Sequence, residues 1–198
     1  MLFRSIGKIH IHPEELGIDF LSASAHKFHG PKGVGFLYAS TGDFDSYLHG
    51  GDQEQKKRAG TENLAAIVGM VAALKEDLND QVEHYQKLGA LKATFLEEIA
   101  GLDYYLNESN HQLPYVVNIG FPGQKNDLLL LRLDLEGISI STGSACTAGI
   151  VQTSHVLEAF YGPDSHRLKE SVRISLSPLN TEEELKQLAQ TLKNIIGD

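Results

Sequence analysis

The sequence predicts an α/β protein that divides into an incomplete first part and a complete second part. Short apolar segments typical of strands alternate with longer segments in which apolar residues recur every three or four positions, as in helices. Residues 1–79 contain only two strand segments, whereas residues 80–198 alternate strand and helix patterns. We therefore expect the remnant of a large α/β domain at 1–79, a long linking helix, and a complete small α+β domain at 80–198.

Two strands and a long loop are predicted in the first part. Segments Ile18–Ala25 and Val34–Ser40 are short and apolar, and the turn Gly30–Gly33 joins them. The stretch from Ser40 to Thr61 is polar and rich in glycine, which predicts a loop.

From Asn63 the spacing of apolar residues becomes that of a helix. The stripe, which only Lys92 interrupts, consists of Leu64, Ile67, Val71, Leu74, Leu78, Val82, Tyr85, Leu88, Phe95 and Ile99. This pattern predicts one long amphipathic helix, or two helices that meet near Asn79 and Asp80.

The second part predicts three strands and three helices. The strands are Tyr115–Phe121, Ile138–Thr142 and Ser171–Leu176. The helices are Asn126–Gly137, Ser154–Gly162 and a final one from Thr181 to about Ile196. Gly137 suits a left-handed helix end, and Thr181 with Glu184 has the spacing of a capping box.

Composition and charge exclude several classes of function. Of the 198 residues, 41% are hydrophobic and 22% are charged, as in an ordinary globular protein. The formal net charge of −9 argues against a broad basic surface for nucleic acid, and no apolar run approaches the roughly 20 residues that cross a bilayer. Cys146 is the only cysteine, so an intrachain disulfide is impossible and a reducing, cytoplasmic location is expected.

The end of the first predicted strand carries a candidate covalent site. Lysines in such positions are usually only solvated, but Ser24 and His26 precede Lys27 and alternate with Ala25, which would place both on one face of a strand. A hydroxyl and an imidazole can bind a phosphate, and a lysine can condense with an aldehyde. Pyridoxal phosphate (PLP) presents both groups, and the glycines of the turn would let the backbone approach it closely.

The segment Gly50–Asn63 has two interpretations that the residues alone leave open. It is a solvated loop in which Thr61 or Asn63 caps the long helix, it binds an anion through a hydroxyl and backbone N–H groups at the helix N-terminus, or both interpretations hold.

Two further candidates lie in the second part. Cys146 is either a buried small hydrophobe or an exposed nucleophile on the small-residue loop Ser141–Gly149. Arg173 lies among apolar strand residues, where it pairs with a surface carboxylate or binds the carboxylate of a substrate. The histidines show no spacing typical of a metal site, so no metal is predicted.

Four segments together resemble one family. They are SAHKFHGPKGVGFLY, GGDQEQKKRAGTEN, STGSACTAG and SVRISLSPLNTEEEL, in the family's order and at about its spacing. The chain resembles the C-terminal half of a cysteine desulfurase, a member of the class V aminotransferase group of PLP-dependent enzymes with fold type I. The segment STGSAC is similar to the subgroup that supplies sulfur for iron–sulfur cluster assembly and tRNA thiolation.

The resemblance implies a role for each matching residue of the cofactor site. Lys27 would hold PLP covalently, while Ser24 and His26 would bind its phosphate. Thr61 would reach the phosphate of the partner subunit's cofactor, which implies a homodimer.

The resemblance also implies how the substrate is processed. Arg173 would bind the carboxylate of L-cysteine, and Cys146 would take its sulfur as a persulfide while L-alanine leaves. The sulfur acceptor would be an iron–sulfur scaffold protein or a tRNA thiolation enzyme.

One departure from the family pattern concerns residues 1–4. The family has an Asp-Ala-x-Gln segment where this chain has Met-Leu-Phe-Arg, and the aspartate there would protonate the cofactor ring. We therefore expect a truncated copy with weak or no PLP binding and no turnover by itself. The alternatives are a class V aminotransferase, a selenocysteine lyase, or a non-catalytic dimerisation or docking module.

Overall fold

The computed structural model describes residues 5–109, 112–143 and 153–197, and these form an α/β structure of two compact units. Unit 1 is Met1–His84 and unit 2 is Tyr85–Asp198, whereas the sequence predicted a domain boundary between residues 79 and 80. No helix in the described ranges has the length and apolar character needed to span a membrane.

Unit 1 contains the two predicted strands, which form an antiparallel pair. Strands β1 (Phe20–Ser24) and β2 (Gly35–Ala39) pair in register from Phe20 opposite Ala39 to Ser24 opposite Gly35. A Cβ atom at Gly35 would lie 2.2 Å from the carbonyl oxygen of Ala23, so the pairing requires glycine at this position.

The long helical pattern forms two helices, which confirms the second of the two predicted alternatives. Helix α1 spans Leu64–Asn79 and helix α2 spans Gln81–Glu98, with Asp80 between them. Asn63 begins α1, because its side chain accepts a hydrogen bond of 3.2 Å from the Ala66 N–H.

The predicted apolar stripe is only partly confirmed in α1. Its members Leu64, Val71 and Leu78 are exposed, whereas its member Leu74 packs against the core of unit 1, on the face that also buries Met70 and Asp77. The reason is that α1 carries apolar residues on more than one face, so spacing alone could not select the face that meets the strands. In α2 the prediction is confirmed at Leu88 and Phe95, which are fully buried.

Besides most of α2, unit 2 contains an antiparallel sheet and four further helices among its described residues. The strands, in the sheet order β3–β4–β5, are β3 (Tyr105–Leu106), β4 (Val116–Gly120) and β5 (Ser171–Ser175). The helices are α3 (Asn126–Leu135), α4 (His155–Tyr161), α5 (Arg167–Glu170) and α6 (Glu182–Gly197).

Local signals located most of these elements, and long-range strand pairing explains the failure around Ser141. Gly137 has a φ of +76°, and the Thr181–Glu184 capping box is present, as predicted. The predicted strand Ile138–Thr142 is wrong, because only Ser141 pairs, as a single bridge to Arg173. Elements β3 and α5 were not predicted.

The core of unit 2 lies between its sheet and the apolar faces of its helices. Inward-facing residues of β4 alternate with outward-facing ones, so that Val117 and Ile119 are fully buried. They join one cluster with Phe95 of α2, Leu133 of α3 and Leu192 of α6. This core supports the sheet that carries Arg173.

Candidate functional site

Strand β1 ends at Ser24, and the candidate lysine follows on a turn. Residues Ala25–Lys27 form one turn of 3₁₀-helix, closed by a hydrogen bond of 3.0 Å from the Phe28 N–H to the Ala25 carbonyl. The prediction that Ser24 and His26 alternate along a strand is therefore wrong, because the chain leaves the extended conformation at Ala25. Ser24, His26 and Lys27 nevertheless remain neighbours around a single turn.

Hydrogen bonds within the segment fix the conformation of this turn. The Ala25 carbonyl also accepts from the Gly30 N–H at 2.9 Å, and the Ala25 N–H donates to Val34 at 3.0 Å. A Cβ atom at Gly30 would lie 2.9 Å from the Ala25 Cβ atom. The close approach at Gly30, like that at Gly35, is thus to the chain's own atoms, whereas the sequence interpretation assigned it to a cofactor.

The polar groups of the turn fit the chemistry of PLP. Ser24 and Lys27 are half-buried and His26 is exposed, and the Ser24 hydroxyl does not cap the turn that follows it. Within the described ranges, Lys27 Nζ takes part in no hydrogen bond or ion pair. A hydroxyl, an imidazole and an uncommitted amine together suit a phosphate and an aldehyde.

Thr61 lies on a separate loop of unit 1, which folds back on itself. Lys57 donates a hydrogen bond of 2.6 Å to the Phe44 carbonyl and lies 4.7 Å from the centre of the Phe44 ring. The Gly60 N–H donates to the Gln53 side chain at 3.1 Å. Of the two residues predicted as the cap of the long helix, Asn63 is the one that caps α1. The Thr61 residue is exposed and does not serve as this cap.

In unit 2, the backbone brings Arg173 next to the segment that leads to Cys146. Arg173 lies on β5, half-buried, and pairs with Ser141 through two hydrogen bonds. Cys146 itself lies outside the described residues, as do all of positions 144–152. The structure thus relates Arg173 to the start of the predicted cysteine loop, a relationship that the sequence interpretation missed.

A polar cluster beside β5 was also missed. The guanidinium group of Arg167 lies 4.1 Å from the Tyr105 ring centre and 4.5 Å from that of Tyr161, and it donates to Asn107 at 2.7 Å. The Tyr105 hydroxyl donates to Glu170 at 3.0 Å, and burial, the largest cause, raises the pKa of Tyr105 to about 12. These partners are far apart in the sequence, so no local signal could have revealed the cluster.

In the described ranges, no group of three or more histidine, cysteine, aspartate or glutamate side chains is arranged to hold a metal ion. A family model described as aminotransferase class-V matches residues 3–188. The chain belongs to the class-V aminotransferase family. Class-V aminotransferases and the related cysteine desulfurases are PLP-dependent, in agreement with the donor groups of the Lys27 turn.

Curated proteins similar to this chain are named as cysteine desulfurases. One of two such relatives is a Bacillus subtilis protein named as a candidate cysteine desulfurase IscS 1, with 43% identity over 98% of this chain and 52% of its own length. The other is cysteine desulfurase IscS of Dictyoglomus turgidum, with 40% identity over 98% of this chain and 50% of its own length.

A similar solved structure shows that the fold is partial. A NifS-like protein matches with a TM-score of 0.86 and 32% identity, over 97% of this chain and 50% of that one. The chain therefore spans about half the length of the class-V relatives that it matches.

Proposed function

We propose that this chain carries part of the active site of a PLP-dependent cysteine desulfurase, which converts L-cysteine to L-alanine and retains the sulfur on Cys146. The observation that supports this most directly is the turn at Lys27, where a hydroxyl, an imidazole and an amine follow one strand. The names of the relatives support the same activity. The complete reaction is proposed for the whole protein, and we expect the 198-residue chain alone to bind PLP weakly and to turn over no cysteine.

The residues of unit 1 would hold the cofactor. Lys27 would bind PLP covalently through Nζ, and Ser24 and His26 would donate hydrogen bonds to its phosphate. When bound, PLP withdraws electrons from the substrate, which weakens bonds near its α-carbon. The exposed Thr61 would donate to the phosphate in the partner subunit, so the protein is proposed to be a homodimer.

The residues of unit 2 would bind the substrate and accept its sulfur. The planar guanidinium of Arg173 suits a two-pronged contact with the carboxylate of L-cysteine. The Cys146 thiolate would attack the substrate sulfur, so that an S–S bond forms as the C–S bond breaks, and the β-carbon takes a proton to give L-alanine. The pairing of Arg173 with Ser141 supports this proposal, because it ties the base of the Cys146 loop to the carboxylate-binding residue.

The persulfide would then pass to an acceptor protein. An iron–sulfur scaffold and a tRNA thiolation enzyme are both compatible with the resemblance, and the name IscS of the relatives favours the former. A class V aminotransferase and a selenocysteine lyase would use the same fold. Replacing Cys146 by serine in the whole protein distinguishes a cysteine desulfurase from an aminotransferase, because desulfuration needs the thiol and transamination does not.

A second candidate function is a non-catalytic dimerisation module. The observation in its favour is the apolar surface of α1, where Leu64 is 69% and Val68 is 68% exposed. Sedimentation velocity of the chain and of Val68→Lys would test it, since this function requires a dimer that the substitution disrupts and a chain that fails to react with PLP.

The proposed function is tested by trapping PLP on the chain. The purified chain is incubated with PLP and reduced with borohydride, and peptide mass spectrometry locates the modified lysines. We expect modification at Lys27 in the natural chain, its loss in Lys27→Ala, and no change in Lys32→Ala. Lys32 is a matched control because it lies exposed in the same turn region. Modification scattered over surface lysines would contradict the proposal.

A further inference from the structure

The turn that carries Lys27 is anchored on both sides of the lysine. Ala25 before it and Phe28 after it are fully buried, in one cluster with Met70 of α1. The N–H groups of Phe28 and Gly30 both donate to the Ala25 carbonyl. These two hydrogen bonds report directly on whether the turn is closed.

His29 lies next to the buried anchor in a conformation that few side chains favour. Its φ is +64°, in the left-handed region, which is uncommon for residues other than glycine, although asparagine, aspartate and histidine adopt it more often than the rest. Backbone strain of this kind persists only where surrounding contacts hold it. His29 Nδ1 lies 3.7 Å from Asp77 Oδ1, so the two side chains form an ion pair when the imidazole is protonated.

Asp77 is a carboxylate on the buried face of α1. Only 6% of its surface is exposed, and it follows Met70, Ala73 and Leu74 at the spacing of one helical face. A Cβ atom at Gly7 would lie 2.8 Å from Asp77 Oδ2, so the backbone at Gly7 packs closely against the carboxylate. A buried charge destabilises a fold unless it is well paired, which points to a role beyond stability.

Helix α1 contacts the turn region at three positions along this face. Phe28 joins the cluster of Met70, and a Cβ atom at Gly69 would lie 2.9 Å from Pro31 Cγ. The pair of His29 with Asp77 is the third contact and the only polar one of these three. It acts between the apolar contacts made by Phe28 and Pro31, which flank His29 in the sequence.

We propose that Asp77 is a positioning residue that, through His29, holds the turn in the closed conformation that presents Lys27. The proposal rests on the proposed function for what Lys27 does, but the geometry of the turn is independent of it. A purely structural clamp is the competing role, since Lys8 and Gly7 lie near the same carboxylate.

The test measures hydrogen exchange at the Phe28 and Gly30 amides in the natural chain and in matched variants. Asp77→Asn removes the charge. In His29→Asn the side-chain nitrogen is bonded to Cγ, as Nδ1 is in histidine, and asparagine tolerates the left-handed conformation. In His29→Gln the side-chain nitrogen lies one bond further from the backbone. Glu76→Gln is the control, because it neutralises an adjacent but exposed carboxylate.

We expect Asp77→Asn and His29→Gln each to speed exchange at these two amides by about 5- to 10-fold, the effect of losing one contact. The double variant should exchange no faster than either single one, since both remove the same interaction. His29→Asn and Glu76→Gln should match the natural chain. The melting temperature of Asp77→Asn at pH 7.5 should not fall, whereas the loss of a structural clamp would lower it.

Three results would overturn the proposal: unchanged exchange in both single variants, additive effects in the double variant, or faster exchange throughout unit 1 with a lower melting temperature. If Asp77→Asn does not fold, the pair His29→Gln and His29→Asn decides alone, because His29 is an exposed residue. Trapping of PLP at Lys27 is measured in parallel. Modification scattered over surface lysines in the natural chain would count against the proposed function, whereas the exchange data test the positioning role without any cofactor.

Discussion

Ser141 and Arg173 exchange a pair of backbone hydrogen bonds, with the Ser141 N–H donating to Arg173 at 3.1 Å and the Arg173 N–H donating to Ser141 at 2.6 Å. This bridge lies on the side of β5 opposite the one that pairs with β4. Only Thr142 and Gly143 separate it from the segment that contains Cys146. Backbone pairing therefore places Ser141 beside Arg173, the residue proposed to bind the substrate carboxylate.

Replacing Ser141 by proline should release this connection. Proline has no N–H group, so the bond to the Arg173 carbonyl is lost and the second bond weakens. We expect hydrogen exchange at the Arg173 amide to rise by about 5- to 10-fold, as for the loss of one net hydrogen bond. Ser141→Ala is the control, because it removes the hydroxyl and keeps the backbone pair. Equal exchange in both variants would show that the bridge does not order Arg173.

The sequence predicted elements whose signals are local. The start of α6 at Thr181 and Glu184, the left-handed Gly137 and the junction of α1 with α2 near Asp80 each depend on a few neighbouring residues. The prediction of a strand around Ser141 was wrong, because an apolar pattern indicates an extended conformation but not the strand with which the segment pairs. Pairing between Ser141 and Arg173 depends on the folded sheet, which local spacing cannot express.

The candidate site shows the same division. The residues Ser24, His26 and Lys27 were proposed because they are adjacent in the chain, yet the 3₁₀ turn that holds His26 and Lys27 was predicted as strand. Asp77 was missed altogether, although it interrupts an apolar helix face. Its significance depends on His29, which lies far from it in the sequence and meets it only after folding.

The stability of unit 1 should depend on pH through Asp77. Burial is the largest cause and raises the pKa of Asp77 above its ordinary value; His29, His84 and Lys8 act to lower it, and Glu76 acts to raise it. A carboxyl group whose pKa is higher in the folded chain contributes its stability while protonated and loses it as pH rises through the folded pKa. We therefore expect the natural chain to lose stability relative to Asp77→Asn as pH rises above about 4.

Urea unfolding of both proteins between pH 4 and pH 8 would measure this difference. Glu76→Gln serves as the control, since an exposed carboxylate on the same helix should leave the pH dependence close to that of the natural chain. If Asp77→Asn instead lost stability relative to the natural chain as pH rises, attraction by the surrounding cations would outweigh burial.

Replacing Gly35 by alanine should separate β1 from β2. The new methyl group would lie 2.2 Å from the Ala23 carbonyl oxygen, a backbone atom that cannot move without breaking the strand pair. We expect a loss of about 1–3 kcal/mol in the free energy of unfolding, as for overpacking elsewhere. Because Gly35 is opposite Ser24, exchange in the Lys27 turn should rise as well.

Gly42→Ala is the matched control for Gly35→Ala, since no atom lies within 4 Å of a Cβ atom at Gly42 in the same unit. Its free energy of unfolding should equal or slightly exceed that of the natural chain. Equal stabilities of the two variants would mean that the strand pair tolerates a methyl group at position 35.

Removing the hydroxyl of Thr181 should weaken the start of α6. Thr181 Oγ1 accepts from the Glu184 N–H at 3.2 Å, while the Glu184 carboxylate accepts from the Thr181 N–H at 3.0 Å. We expect Thr181→Ala to lower the free energy of unfolding by about 1 kcal/mol, the usual effect of a lost helix cap. Thr181→Ser keeps the hydroxyl and should retain most of the stability. Urea unfolding followed by circular dichroism measures both, and a serine variant as unstable as the alanine variant would show that the methyl group of Thr181, rather than its hydroxyl, stabilises the helix.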